Sequence, residues 1–598
     1  MTSPLSGSCI FVCAPPIVYV INMTQNLFFK AIKAYFLVLL LVGITSCNSA
    51  KAPPNLVTPS GQPDAAIFIS QQAPVIVSLL TNPERLPSSE RDGELSKLKT
   101  SLLANTDIDY QKDIQPWLGN EITLAVTALD LDREPENGKN PGYLMALATK
   151  EPEKSREFVE LLFSKRSLTG ANLTVEQYKG VKLIYEIPQE TTVEEKPGGY
   201  FSVPNRQSKK PNPKSQIQNA LAGAVVGNNF VLFANDPKVL RDAINNVQAP
   251  DLNLISSSKY QQAIKASPKD ALAVAYLNLP TVAKWQGLES ETATYNSQIV
   301  SLVEKRKGLI AETAFLAKEK NLVPSTEIAK PVGALQYIPA SAGLSVTSSN
   351  LSNLDNSSLA LLWQQAIAVL TGSKEDVFSG LLQPLAEVQK RWNVNWKDDI
   401  FSWVQGEYAI GLLPREDKTN PDWIFVAEKS EATPTAISHL NEIASTGGLS
   451  LNSLNIGEQK IFAWTELAAT SSQSALVKDR QVYTIQAKVL GAYTDVGNYE
   501  IITSSIEAMD AALTAKEDSL VNKSDFQNSI AALPQPNQGY VYFDWAKSQP
   551  ILERQLPFLK LVEVIGKSFF QNLRSLTVSS YGSDTDLLKG GVFFQFRG

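Results

Sequence analysis

The chain has 598 residues, room for two to four domains at about 150 residues each. Apolar residues make up 43% and charged residues 19%, a composition that excludes a disordered chain. A net charge of −6 leaves no basic surplus for nucleic acid, and one histidine (His439) with three cysteines (Cys9, Cys13, Cys47) excludes most zinc, general-base and thiol chemistry.

Residues 1–22 fit no export pattern, so Met23 is the expected start of the protein. From Met23 the chain carries Lys30 and Lys33, then the apolar run Ala34–Val42. That run is too short to cross a bilayer core of about 30 Å and reads as a signal peptide over 23–46. It ends in Ile44-Thr45-Ser46-Cys47, which resembles the bacterial lipobox. The resemblance implies that Cys47 is lipidated and becomes the mature N-terminus. No cysteine follows Cys47, as suits a chain exported to an oxidising compartment. Two or three acyl chains hold a protein stably at a membrane. Residues 47–63, rich in Pro, Ser and Ala, read as a flexible tether.

Beyond the tether, Ile122–Leu129 and Tyr143–Thr149 alternate like paired strands, and Pro152–Ser164 has helical spacing. Strands are predicted at Val181–Ile187, Gly223–Val226 and Phe230–Ala234, with a tight turn at Gly227-Asn228-Asn229. Asp236 is placed to cap a helix over Lys238–Val247, with Pro237 at its first position. Thr292–Lys320 reads as a long helix through Ile299, Leu302, Val303, Leu309, Ile310 and Phe315. The later part repeats the scheme: Tyr408–Leu413, Trp423–Glu428, Pro434–Ala444, Ile461–Glu466, Val482–Ala487, Tyr499–Thr503, Ser505–Leu513, and a last strand at Gly591–Arg597.

Four markers recur in order. Asp113-Ile114-x-x-Trp117-x-x-x-Glu121 returns as Asp399-Ile400-x-x-Trp403-x-x-x-Glu407, and Val226-Gly227-Asn228 as Val496-Gly497-Asn498. Tyr260-Gln261-x-x-Ile264 returns as Phe526-Gln527-x-x-Ile530, and Leu344–Ser348 as Leu576–Ser580. The expectation is an internal duplication: a first repeat over 64–350, with an inserted loop at 196–215 and an inserted helix at 292–320, and a second over 351–598. The expected class is α+β, two homologous halves, each an antiparallel sheet covered by helices on one face.

The lipobox, the opening Pro63-Asp64-Ala65-Ala66-Ile67-Phe68, Asn82-Pro83-Glu84-Arg85-Leu86, and Trp117-Leu118-Gly119-Asn120-Glu121 together resemble one cyanobacterial family. It is the domain-of-unknown-function family numbered thirty-three fifty-two. The resemblance covers nearly the whole mature chain and implies location and architecture. It implies no activity.

Few residues invite chemistry. His439 stands on a predicted helix with no GxSxG elbow to serve, and reads as an ordinary side chain. Ser96/Lys99 and Ser256/Lys259 match Ser-x-x-Lys, but the nearest thing to its Lys-Thr-Gly partner is Lys418-Thr419-Asn420. Asp130, Asp132, Glu134 and Glu136 alternate like calcium ligands, yet Pro135 stands where such a loop needs glycine, so a hairpin tip is the better reading. Arg206, Lys209, Lys210 and Lys214 suit anionic headgroups or a loop without a partner. The repeated pairs Trp117/Trp403 and Glu121/Glu407 suit a ligand subsite or, better, packing, since both copies must build the same core.

The sequence therefore leads to a lipid-anchored, extracytoplasmic binding or assembly module without catalysis, cofactor or metal, facing the periplasm or thylakoid lumen. Its expected partners are the membrane, through the lipid on Cys47, and envelope or photosynthetic-membrane proteins. A carrier of an apolar small molecule or lipid is the alternative, and a hydrolase using carboxylates alone comes third.

Overall fold

Val75–Leu79 (β1) is buried at all five positions, so both of its faces and both of its edges must be covered. The computed structural model shows how, and describes residues 62–80, 110–133, 140–187, 221–286, 294–318, 327–352, 357–371, 395–415, 421–470, 484–555, 567–582, 584 and 586–596. After β1 come β2 (Leu118–Ala128), β3 (Gly142–Thr149), α1 (Pro152–Leu168), β4 (Leu173–Tyr178), β5 (Val181–Glu186), β6 (Ala222–Val226) and β7 (Phe230–Ala234). Then follow α2 (Pro237–Gln248), α3 (Ser258–Ala266), β8 (Ala273–Asn278), α4 (Leu279–Gln286), β9 (Tyr295–Lys305) and β10 (Gly308–Ala317).

The chain continues through β11 (Leu344–Ser349), α5 (Ser358–Thr371), β12 (Glu407–Leu413), β13 (Asp422–Glu428), α6 (Thr433–Thr446), β14 (Ser450–Ile456), β15 (Gln459–Thr470) and β16 (Thr484–Val496). It ends through β17 (Tyr499–Thr503), α7 (Ile506–Thr514), α8 (Ser524–Ala532), β18 (Tyr540–Asp544), α9 (Trp545–Gln555), α10 (Lys567–Asn572), β19 (Leu573–Ser580) and β20 (Leu587–Phe596). Asp236 caps α2 as expected, its carboxylate accepting from the Lys238 amide at 2.7 Å.

Hydrogen bonding orders the first ten strands β4-β5-β6-β7-β3-β2-β1-β8-β9-β10. The later ten run β14-β15-β16-β17-β13-β12-β11-β18-β19-β20, the same order in the same directions. The two runs meet where β10 pairs antiparallel with β20, from Gly308 opposite Gln595 to Leu316 opposite Leu587. Instead of two separate sheets there is one twenty-stranded antiparallel sheet among the described residues.

Helices cover both faces, not the one face expected. One face carries a core that spans both runs, holding Ile76, Tyr276, Ile299 and Tyr542 under α2, α3, α7 and α8. On the other face α5, α6, α9 and α10 cover Leu344, Phe425, Trp464 and Phe594, α1 covers Phe233, and α4 covers Leu277. Side chains alternate between these layers along each strand: Ile76 enters one, Val75 and Val77 the other.

Two expectations fail for one reason. The expected inserted helix at 292–320 is the hairpin β9–β10, and it is no insertion, since β19–β20 hold the matching place. Both faces of β9 are buried, Ile299 and Val303 in one core and Leu302 in the other, so polar alternation is lost and the apolar run mimics helical spacing. The marker at Leu344–Ser348 is likewise misplaced. It lies on β11, which pairs with β12 and β18 as β1 pairs with β2 and β8, whereas Leu576–Ser580 lies on β19. In strand order β11 therefore lies among the later ten, ahead of residue 351.

Candidate functional site

The repeated carboxylate Glu121 lies on β2, where the ladder with β3 shifts register between Leu118 and Ile122. Its side chain turns inward and is only 7% exposed. Ahead of β1, a short 3₁₀ turn, Asp64–Phe68, starts with amides that have no partner within the turn. Glu121 accepts from the amides of Asp64 at 2.9 Å and Ala65 at 3.0 Å, and from the Thr123 hydroxyl at 2.7 Å. Thr123 and Ser78 share a further hydrogen bond of 2.7 Å. Burial pushes the Glu121 carboxyl above its ordinary range, against the pull of those hydrogen bonds.

Glu407, at the start of β12, holds the matching turn of the second run, Gly333–Tyr337. It accepts from the Gly333 amide at 2.7 Å and from the Tyr499 hydroxyl at 3.1 Å. The paired tryptophans also pack. Trp117 is buried against Phe158 with centroids 5.2 Å apart and donates its indole N–H to the Asp113 carbonyl at 2.7 Å. Trp403 lies 6.4 Å from Phe425. The two glutamates join turns to strands and the two tryptophans pack against Phe158 and Phe425.

The two runs differ at the same place. In the first, Phe68 and Phe230 close the turn edge to face at 5.2 Å. In the second, Tyr337 and Tyr499 stand there at 5.6 Å, and Glu428 accepts from the Glu407 amide at 3.1 Å where the first run has Ala148. Burial and the carboxylates of Glu407 and Glu428 push the Tyr499 hydroxyl up. Both carboxylates are thereby engaged by main-chain amides.

The remaining residues singled out in the sequence do not converge. His439 is 52% exposed and lies 3.1 Å from Asp399 through Nε2. Ser256 donates to the Pro250 carbonyl, in the turn before α3 that carries Lys259. Asp130 accepts from the Asn140 amide at 3.1 Å, tying the β2–β3 hairpin as a tip residue would. Cys47, Ser96, Lys99, Glu134, Glu136, Arg206, Lys209, Lys210, Lys214 and Lys418 lie outside the described residues. Among the described residues no three His, Cys, Asp or Glu side chains are grouped to hold a metal, and no helix is long and apolar enough to cross a membrane.

One residue escaped the sequence reading. Glu500 on β17 is 5% exposed, opposite Ala427 on β13 and Asp495 on β16. Burial and the Asp495 charge push its carboxyl up to about 7, with Lys429 opposing, and Lys429 itself pairs with Asp495 at 3.3 Å. The matching residue on β7 is Val231, fully buried. A glutamate in a strand ordinarily signals a solvent face, and counting on from the turns Gly227-Asn228 and Gly497-Asn498 sets it against Phe230; only the strand pairing, Val231 opposite Leu147 and Glu500 opposite Ala427, sets it against a valine.

The chain belongs to the family described as "Protein of unknown function (DUF3352)", which matches residues 31–596. Crystal form I of TP0453 is similar at 10% identity, covering 44% of this chain and 82% of that one, with a TM-score of 0.23. Form IV gives 9% identity over 43% and 80% with a TM-score of 0.22, and form III 9% over 47% and 85% with 0.22. No curated protein matches.

Proposed function

We propose that this member of the DUF3352 family is a lipid-anchored, extracytoplasmic binding or assembly module that performs no catalysis. In this reading Cys47 carries the acyl chains, residues 48–63 tether the folded part, and the sheet faces the periplasm or thylakoid lumen as a scaffold for membrane-associated proteins. We propose further that its two runs of ten strands are copies of one ancestral unit. The observation that carries the functional reading is the use made of the repeated polar residues: Glu121 is spent on the two opening amides of a 3₁₀ turn and Glu407 on the first amide of another. What the runs share is framework, and a scaffold needs framework and surface where an enzyme needs free reactive groups.

Native mass spectrometry of the chain from residue 47, without acyl chains and purified gently from its own cells, tests this. The expected spectrum shows the bare chain or the chain with a protein companion. Extra mass that a solvent extract identifies as lipid or pigment would replace the module with a carrier.

A further inference from the structure

An open sheet has two end strands, here β4 and β14, each with one neighbour among the described residues. Unpaired edges invite pairing, and stable monomers guard them with charge, proline or a bulge. On β4 stands Glu176, held by Arg241 at 2.7 Å and by the Tyr185 hydroxyl at 3.1 Å. On β14 there is no such guard among the described residues. Its sequence, Ser450-Leu451-Asn452-Ser453-Leu454-Asn455-Ile456, has no charge, proline or glycine, and it pairs with β15 without irregularity from end to end. Leu451 on this edge and Leu467 on the adjoining strand are 46% and 70% exposed.

We propose that β14 is a self-association edge, at which two copies of the chain pair antiparallel about a two-fold axis and continue one sheet into the next. Three observations select a second copy as the occupant. The chain already contains such a joint, since β10 and β20 bring two ten-stranded runs together edge to edge. An uncharged strand meets its own copy without like charges opposed in any register, whereas a β4 pair centred on Glu176 would bring two of these side chains together. Centred on Ser453, antiparallel pairing sets Leu451 opposite Asn455 and Asn452 opposite Leu454, which is self-complementary. Pairing of this kind closes at two copies, because the guarded β4 edge offers no continuation.

Sedimentation velocity of residues 47–598 with Cys47→Ser, which hold every described element, reads the result directly. The expected pattern is a monomer–dimer equilibrium by about 100 µM. The double variant Leu451→Lys/Ser453→Lys is expected to be monomeric with unchanged circular dichroism. A parent that stays monomeric, or a folded lysine variant that still dimerises, overturns the proposal. A second readout stands should the lysine variant misfold. In the Cys47→Ser background no other thiol remains, so Ser453→Cys is expected to yield a disulfide dimer on mild oxidation and Glu176→Cys is not. Cross-linking through position 176 alone, or through neither, overturns it equally.

Discussion

The carboxylate of Glu121 accepts a 3.0 Å hydrogen bond from the amide of Ala65, across 56 residues of sequence. That bond ties the turn ahead of β1 to the strand beside it, and Thr123 and Ser78 continue the tie to β1 itself. Truncation as Glu121→Ala strands the amides of Asp64 and Ala65 in a buried site. The expected loss is about 1–3 kcal/mol in urea unfolding. An unchanged midpoint would show that water or a neighbour takes the carboxylate's place.

Glu500 makes stability depend on pH. Its carboxyl has an ordinary value of 4.5 when the chain is unfolded and about 7 when folded, so the native state binds the proton more tightly. The stabilisation is therefore complete below 4.5 and is lost as pH rises through about 7, by an amount on the order of 3 kcal/mol. Glu500→Val, which installs the residue type of position 231, is expected to flatten thermal stability across that window and to raise it above about pH 7. A variant that keeps the parent's pH profile contradicts this.

Gly308 sits where the two runs join. A Cβ on it would stand 2.1 Å from the main-chain oxygen of Phe594, and main chain at the sheet centre cannot step aside cheaply. Gly308→Ala is expected to cost about 2 kcal/mol or more. Hydrogen exchange should place the loosening at β10 and β20. Loosening confined to β9 would point to the hairpin turn instead.

At the other end of the chain, Cys47→Ala is expected to leave the precursor without acyl chains, uncleaved by the lipoprotein peptidase. Mass spectrometry of the N-terminus checks it. Maturation of the variant at the same position would remove the lipobox reading.

Much of this architecture can be read from the sequence where one face of an element is polar. Pro152–Leu168 and Pro237–Gln248 announce themselves by spacing and by the Asp236-Pro237 start. The turns Gly227-Asn228 and Gly497-Asn498 mark matching hairpins because their glycines sit at positive φ, where a side chain is strained. The centre of the sheet is harder. Strands β9 and β11 are buried on both faces, so Ile299 and Leu302 mimic a helix, and Leu344–Ser348 resembles any other small, hydroxyl-rich strand. The roles of Glu121 and Glu407 depend on which amides a distant turn brings to them, and sequence spacing carries no record of that.

The joint between β10 and β20 also governs the order in which the molecule can be completed. Strand β10 is synthesised before any of the second run, yet among the described residues its outer edge pairs with residues 587–596 alone. During translation the first ten strands must wait without β20 on that edge. Loss of β20 to a premature stop or a protease would then harm the half of the protein farthest from the cut in sequence, and a nascent chain would need an escort until its last strand arrived.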